Sequence, residues 1–138
     1  MKLPGSRVRS LWIAFILGLS AMPAKAQADI YIIVNSSLTL TVEDLKSIYT
    51  GDKELIGSVK VKPSDNRAGQ SEFLSKVLGL NQNRYDSLWT MKSFRDGLTT
   101  PSTKSSDSEV IAYVQSVPGA IGYVTSPPPA GVVVLKKY

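Results

Sequence analysis

Apolar and polar positions fall along this chain in blocks that predict an α/β order. Ile30-Tyr-Ile-Ile-Val34 is a continuous, largely β-branched apolar run, the pattern of a strand covered on both faces. It ends in a polar loop, Asn35-Ser36-Ser37. Val42, Leu45, Ile48 and Tyr49 then recur at helical spacing, between a Thr41 N-cap with Asp44 three residues on and a Gly51 stop. Val59-Lys-Val61 alternates as a half-buried strand should, and Pro63 is expected to end it. After a polar turn, Phe73, Leu74, Val77 and Leu78 form the apolar face of a helix broken at Gly79. Asn81 starts the next helix, in which Tyr85, Leu88 and Trp89 share a face and read as core.

Between Phe94 and Asp107 the composition shifts to Gly, Thr, Pro, Ser and Lys, which predicts a surface loop. Ser106-Asp-Ser-Glu109 matches a capping box, and Val110, Ile111, Val114 and Val117 follow as a buried helical face. Pro118-Gly119 ends that helix. Ala120-Ile-Gly-Tyr-Val124 is a small strand whose Gly122 points to a close backbone approach. A stiff Pro127-Pro-Pro129 link leads to Gly131-Val-Val-Val-Leu135, expected as a final buried strand. No internal repeat or low-complexity tract interrupts this order. The predicted class is α/β, a mixed sheet of about four strands flanked by helices.

The first residues fit a different purpose. Lys2, Arg7 and Arg9 precede a short apolar run from Leu11 to Met22, and Ala24-Lys-Ala26 supplies a small-residue cleavage signal before Gln27. Together they read as a secretory signal peptide over residues 1–26, with a retained signal anchor as the alternative. The apolar run is shorter than the roughly 20 residues that span a bilayer. Residues 27–138 are then a single domain. Four of the 16 Lys and Arg residues leave with the leader (Lys2, Arg7, Arg9, Lys25) and none of the 11 Asp and Glu residues does, so 12 positive face 11 negative charges. The basic character largely belongs to the leader. The remaining cations are dispersed, so nucleic acid is not an expected partner.

Cysteine and histidine are both absent. An exported chain without disulfides must hold itself together by core packing, and no cysteine is present for lipid attachment. The expected location is the bacterial periplasm. Without His or Cys, no Ser-His or Cys-His nucleophile pair, His-ligated zinc or thiolate metal site can form. The sequence holds no S-x-x-K, G-x-S-x-G, G-x-G-x-x-G or phosphate-loop motif, and its acidic residues lie singly or in pairs. No catalytic residue, metal site or cofactor is expected, and an enzyme is disfavoured.

The stretch that best carries chemistry runs from Val59 to Gly79. Read as strand, polar turn and helix, it would aim the helix's unpaired N–H groups, and the positive end of its dipole, at the turn. Arg67 adds a positive charge there. Ser, Asp and Asn at such a junction are also ordinary capping residues. Asn35 and Ser36, at the C-terminal end of a buried strand, are candidates for a second wall of the site, plain turn chemistry being the alternative. The hydroxyl-rich start at Ser105, Ser106 and Ser108 could face an anion as well, although capping satisfies the same N–H groups.

Leu40-Thr-Val-Glu-Asp-Leu45-Lys-Ser-Ile-Tyr49-Thr-Gly51-Asp-Lys53 resembles the L-T-x-x-x-L-x-x-I-[YF]-x-G-K segment of the phosphate-binding proteins of ABC transporters. The order that follows is similar: a strand, a turn with Asp65, a helix from Phe73 to Gly79, a helix carrying Trp89 and Phe94, then Pro118-Gly-Ala-Ile-Gly-Tyr123. The resemblance covers nearly all of residues 30–138. It implies one lobe of a type II periplasmic-binding-protein-like fold and a module that binds phosphate or a related oxyanion in connection with transport.

The site that the resemblance implies comprises Asp65, Arg67, Gly69, Gln70 and Ser71, with Asn35 and Ser36 opposite. In the family an arginine stands two places before the aspartate, where this chain has Pro63. Arg67 takes a position that the family gives to a small residue, and Glu54-Leu-Ile56 stands where the family has a tryptophan. One lost charge-assisted hydrogen bond costs about 1.5–3 kcal/mol, or one to two decades of affinity, so micromolar or weaker binding is expected. A lone lobe would leave a face open to a membrane transporter or envelope partner, and homodimerisation could rebuild a two-walled cleft. A protein-interaction module that kept the fold and lost high-affinity ligand binding is the alternative.

Overall fold

The computed structural model describes Gly18 and residues 28–138, so the expected signal peptide lies outside the described residues except for Gly18. The chain starts with β1 (Tyr31–Val34) and α1 (Val42–Tyr49). The α1 start is a reciprocal cap: Thr41 Oγ1 accepts from Asp44 N at 3.1 Å, and Asp44 Oδ2 accepts from Thr41 N at 3.0 Å. Next come a hairpin of β2 (Leu55–Ile56) and β3 (Val59–Lys60), then β4 (Lys62–Asn66). Helix α2 (Gln70–Phe73) passes into a π-helical turn, Leu74–Leu78, closed by left-handed Gly79. Then follow α3 (Gln82–Asp96), β5 (Ser102–Lys104), α4 (Asp107–Ser116), β6 (Ala120–Val124) and β7 (Val133–Lys137).

Five strands form one mixed sheet in the order β5-β4-β6-β1-β7. β4 runs parallel to β5 and β6, whereas β1 is antiparallel to both β6 and β7. Each face of the sheet carries its own apolar cluster, so β1 is buried on both sides. Ile30, Ile32 and Val34 join Leu45, Ile48, Phe73, Tyr85, Trp89 and Tyr123 on the face of α1, α2 and α3. Ile33 joins Val110, Val114, Ala120 and Val124 on the face of α4. Gly122 permits the α4 packing. A Cβ there would strike Val110 Cγ1 and lie 3.0 Å from Ser64 Oγ.

Three predicted elements differ from the fold. Pro63 does not end a strand but lies inside β4, and Val59–Lys60 belongs to the small hairpin. Lys62 gives its N–H to Gly119 O at 2.8 Å on the β6 side. The N–H that proline lacks therefore falls on the β5 side, where pairing begins only at Ser64↔Ser102. The predicted loop from Phe94 holds the last turn of α3 and the short edge strand β5. The last strand is an edge rather than a buried strand: β7 pairs only with β1 and leaves Val133 48% and Val134 46% exposed.

Candidate functional site

At the C-terminal end of β4 the chain makes a tight turn pinned by Asn66. Its carbonyl accepts from Gly69 N at 3.1 Å and its Oδ1 from Ala68 N at 3.0 Å. Its Nδ2 donates to Asp107 Oδ1 at 2.7 Å and to Tyr123 O at 3.1 Å. Asp107, at the first turn of α4, also accepts from Thr125 N and Oγ1 and from Ser126 Oγ, the hydroxyl bonds being 2.9 and 2.8 Å. Burial works against this carboxylate, but the bonds from Ser126, Thr125 and Asn66 outweigh it and hold its pKa below the ordinary value. One acid thus ties the ends of β4 and β6 to the start of α4.

The turn leads into α2, which starts differently from its neighbours. Thr41, Asn81 and Ser106 each cap a helix with a side-chain oxygen, whereas α2 starts at Gly69 with no side-chain cap. Gly69 is buried because the turn packs against β1 and β6; a Cβ there would come 2.8 Å from Thr125 Cγ2 and 3.2 Å from Ile30 Cδ1. Arg67 is exposed beside it and forms no ion pair among the described residues. Gln70 is half-buried and Ser71 exposed. Arg67, Gly69, Gln70 and Ser71 therefore stand together around one helix start.

Asp65 is placed elsewhere than the sequence suggests. It belongs to strand β4, not to the turn, and is 1% exposed. Its side chain faces the α3 side of the sheet and accepts from Tyr85 Oη at 2.7 Å and Tyr123 Oη at 2.9 Å. Burial raises its pKa to about 6 against the opposing effect of the two hydroxyl bonds, with Asp86 adding to the rise. Burial and the nearby Asp65 charge push both tyrosines above the usual phenol range. Around this group Phe73 stacks on Tyr123 at 3.9 Å and meets Tyr49 edge-on at 4.7 Å. The acid is satisfied within an aromatic core.

The expected second wall is also separate from the turn. Asn35 N bonds to Ala120 O, which puts Asn35 and Ser36 at the end of the sheet where β4 and β6 begin. β4 lies between them and the turn, about 13 Å long at 3.3 Å per residue. Asn35 is itself consumed: Nδ2 donates to Val114 O at 2.7 Å and Oδ1 accepts from Ser37 N at 2.9 Å. Ser36 is exposed, and Ser37 Oγ accepts from Gly119 N at 2.9 Å. The start of α4 is closed by its own groups, Ser106 Oγ taking Glu109 N and Glu109 Oε2 taking Ser105 N.

Sequence reasoning missed Asn66 and Asp107, the residues that shape the turn. The capping-box motif located the α4 start, but the reach of Asp107 to Asn66 and Thr125 depends on strand order. Among the described residues no cluster of three or more acidic, His or Cys side chains could hold a metal, and no helix is long and apolar enough to cross a membrane.

No protein-family description and no curated protein sequence matches this chain. Solved structures that share its fold include the following two. An ABC-type phosphate transport receptor from Vibrio cholerae superposes over 80% of this chain and 47% of its own length, with a TM-score of 0.57 and 18% identity. A protein from Clostridium perfringens, described as a phosphate ABC transporter substrate-binding protein with bound phosphate, superposes over 79% of this chain and 45% of its own, with a TM-score of 0.55 and 19% identity. This chain has a substrate-binding-protein-like fold. It spans less than half the length of either neighbour.

Proposed function

We propose that the chain is a binding module, not an enzyme, that takes phosphate or a related oxyanion at the turn from Arg67 to Ser71. The observation that carries this reading is the α2 start: a helix without a side-chain cap, at the C-terminal end of a central strand, with an exposed arginine beside it. Unpaired N–H groups and the helix dipole favour an anion at such a point, and open α/β sheets place ligands outside the carboxyl ends of their strands. The likeness to two phosphate-transport proteins supports the choice of oxyanion. Asp65 supports the site from within the core and does not touch the ion, and Asn35 and Ser36 play no part at this end of the sheet. One lobe leaves the ion partly hydrated, so affinity is micromolar or weaker.

The leader pattern in residues 1–26 supports export to the periplasm, where a membrane transporter or another envelope protein would be the partner. Isothermal titration with phosphate and sulfate tests the ligand. Saturable heat is expected, and Arg67→Ala should weaken it about ten- to a hundredfold by removing a charge-assisted contact. Absence of heat at millimolar phosphate would sink the proposal. Light scattering with and without phosphate checks whether two copies assemble a cleft.

A further inference from the structure

A cavity lies apart from this turn. It has a volume of about 370 Å³ and lies where β4 and β5 begin, under the chain that leaves α3. Left-handed Gly97 (φ 67°) ends α3 and turns that chain toward buried Pro101, and Leu98 in between lines the cavity together with Val61 and Trp89. These three side chains give it an apolar wall. The volume falls within the roughly 300–1,000 Å³ of small-molecule sites, and a water occupies only about 30 Å³ of liquid.

The rim is charged, and its charges are unevenly paired. Lys53 is held by Asp44 at 2.6 Å. Lys60 and Lys62, both exposed, form no ion pair among the described residues, and neither does Glu54 on the same rim. Two unpaired cations against one unpaired anion leave room for a single negative charge. A dianion such as phosphate would meet Glu54 uncompensated and would leave the apolar wall in water.

We propose that this cavity is a second binding site, separate from the oxyanion turn, for a monocarboxylate with an apolar body: the carboxylate at Lys60 and Lys62, the body against Val61, Trp89 and Leu98. Apolar burial supplies the affinity, and the lysines select charge and orientation.

Titration of the full chain with phenylacetate, followed by the methyl resonances of Val61 and Leu98, tests this. Saturable shifts are expected. The uncharged analogue 2-phenylethanol should bind about tenfold more weakly. The double variant Lys60→Ala/Lys62→Ala, altered only at exposed positions, should bring phenylacetate down to the level of the alcohol. Leu98→Trp should fill the space and abolish binding of both. Phosphate should not displace phenylacetate, whether or not it binds at the turn, so this site and the oxyanion reading stand or fall separately. Shifts that never saturate, equal binding of acid and alcohol, or displacement by phosphate would each overturn the proposal.

Discussion

Asp65 gives the domain a pH-dependent stability of known sign. In the fold its pKa is about 6, against an ordinary value of 3.8. Between about pH 4 and 6 the folded chain holds a proton that the unfolded chain has released, so stability falls as pH rises through that window. The contribution is fully present below the unfolded value and lost above the folded one. The difference corresponds to about 3 kcal/mol at 1.36 kcal/mol per pKa unit. Asp65→Asn removes the titration and keeps the shape. Its Oδ1 still accepts from one tyrosine, while its amide meets the other hydroxyl, which must turn to accept at a cost of about 1 kcal/mol. The variant should therefore match or exceed the parent by about 1–2 kcal/mol at pH 7, and fall below it near pH 4. Urea unfolding followed by far-ultraviolet circular dichroism from pH 4 to 8 measures both. The difference between parent and variant isolates Asp65 from acids whose pKa values are lowered, such as Asp44 and Asp52, which lose stabilising contacts as pH falls. A difference that stays flat from pH 4 to 6 would refute the reasoning.

Three further outcomes follow from the same contacts. Tyr85→Phe takes away the 2.7 Å donor to Asp65 and should cost about 1.5–3 kcal/mol at pH 7, with a smaller loss at pH 4, where the acid is protonated; urea unfolding at the two pH values checks it. Asp107→Ala leaves Asn66, Thr125 and Ser126 without their shared acceptor; a loss of about 2–3 kcal/mol is expected, together with faster hydrogen exchange at Ala68 and Gly69, and the loss should shrink as pH falls through the lowered pKa of Asp107. Gly122→Ala drives a methyl group into Val110 and to 3.0 Å from Ser64 Oγ; thermal and urea unfolding should register about 1–3 kcal/mol of overpacking.

Local signals located most elements of the fold. Thr41, Asn81 and Ser106 cap the helices they were expected to cap, and Gly122 sits at the close approach expected of it. The misplacements share a cause. Ser64, Asp65 and Asn66 read as a turn because they are polar, yet all three are buried in β4. Each finds its partner far along the chain: Ser64 at Ile121, Asp65 at Tyr85 and Tyr123, Asn66 at Asp107 and Tyr123. A polar strand in a core is stable only when such partners arrive, and periodicity does not register them.

The candidate site divides along the same line. That a helix starts near Gly69, with Arg67 before it and an apolar face from Phe73 to Leu78 after it, was legible in the residues, since capping and helical periodicity act over a few positions. Whether Asp65 and Asn35 join that helix start was set by strand direction. β4 runs parallel to β6 and β1 antiparallel to it, so the end of β1 and the end of β4 lie at opposite ends of the sheet. Alternation along β4 then turns Asp65 inward toward two tyrosines. Sequence alone determined the local elements because their energetics are local; the tertiary structure decided which of their side chains meet, because pairing across the sheet fixes which end and which face each one occupies.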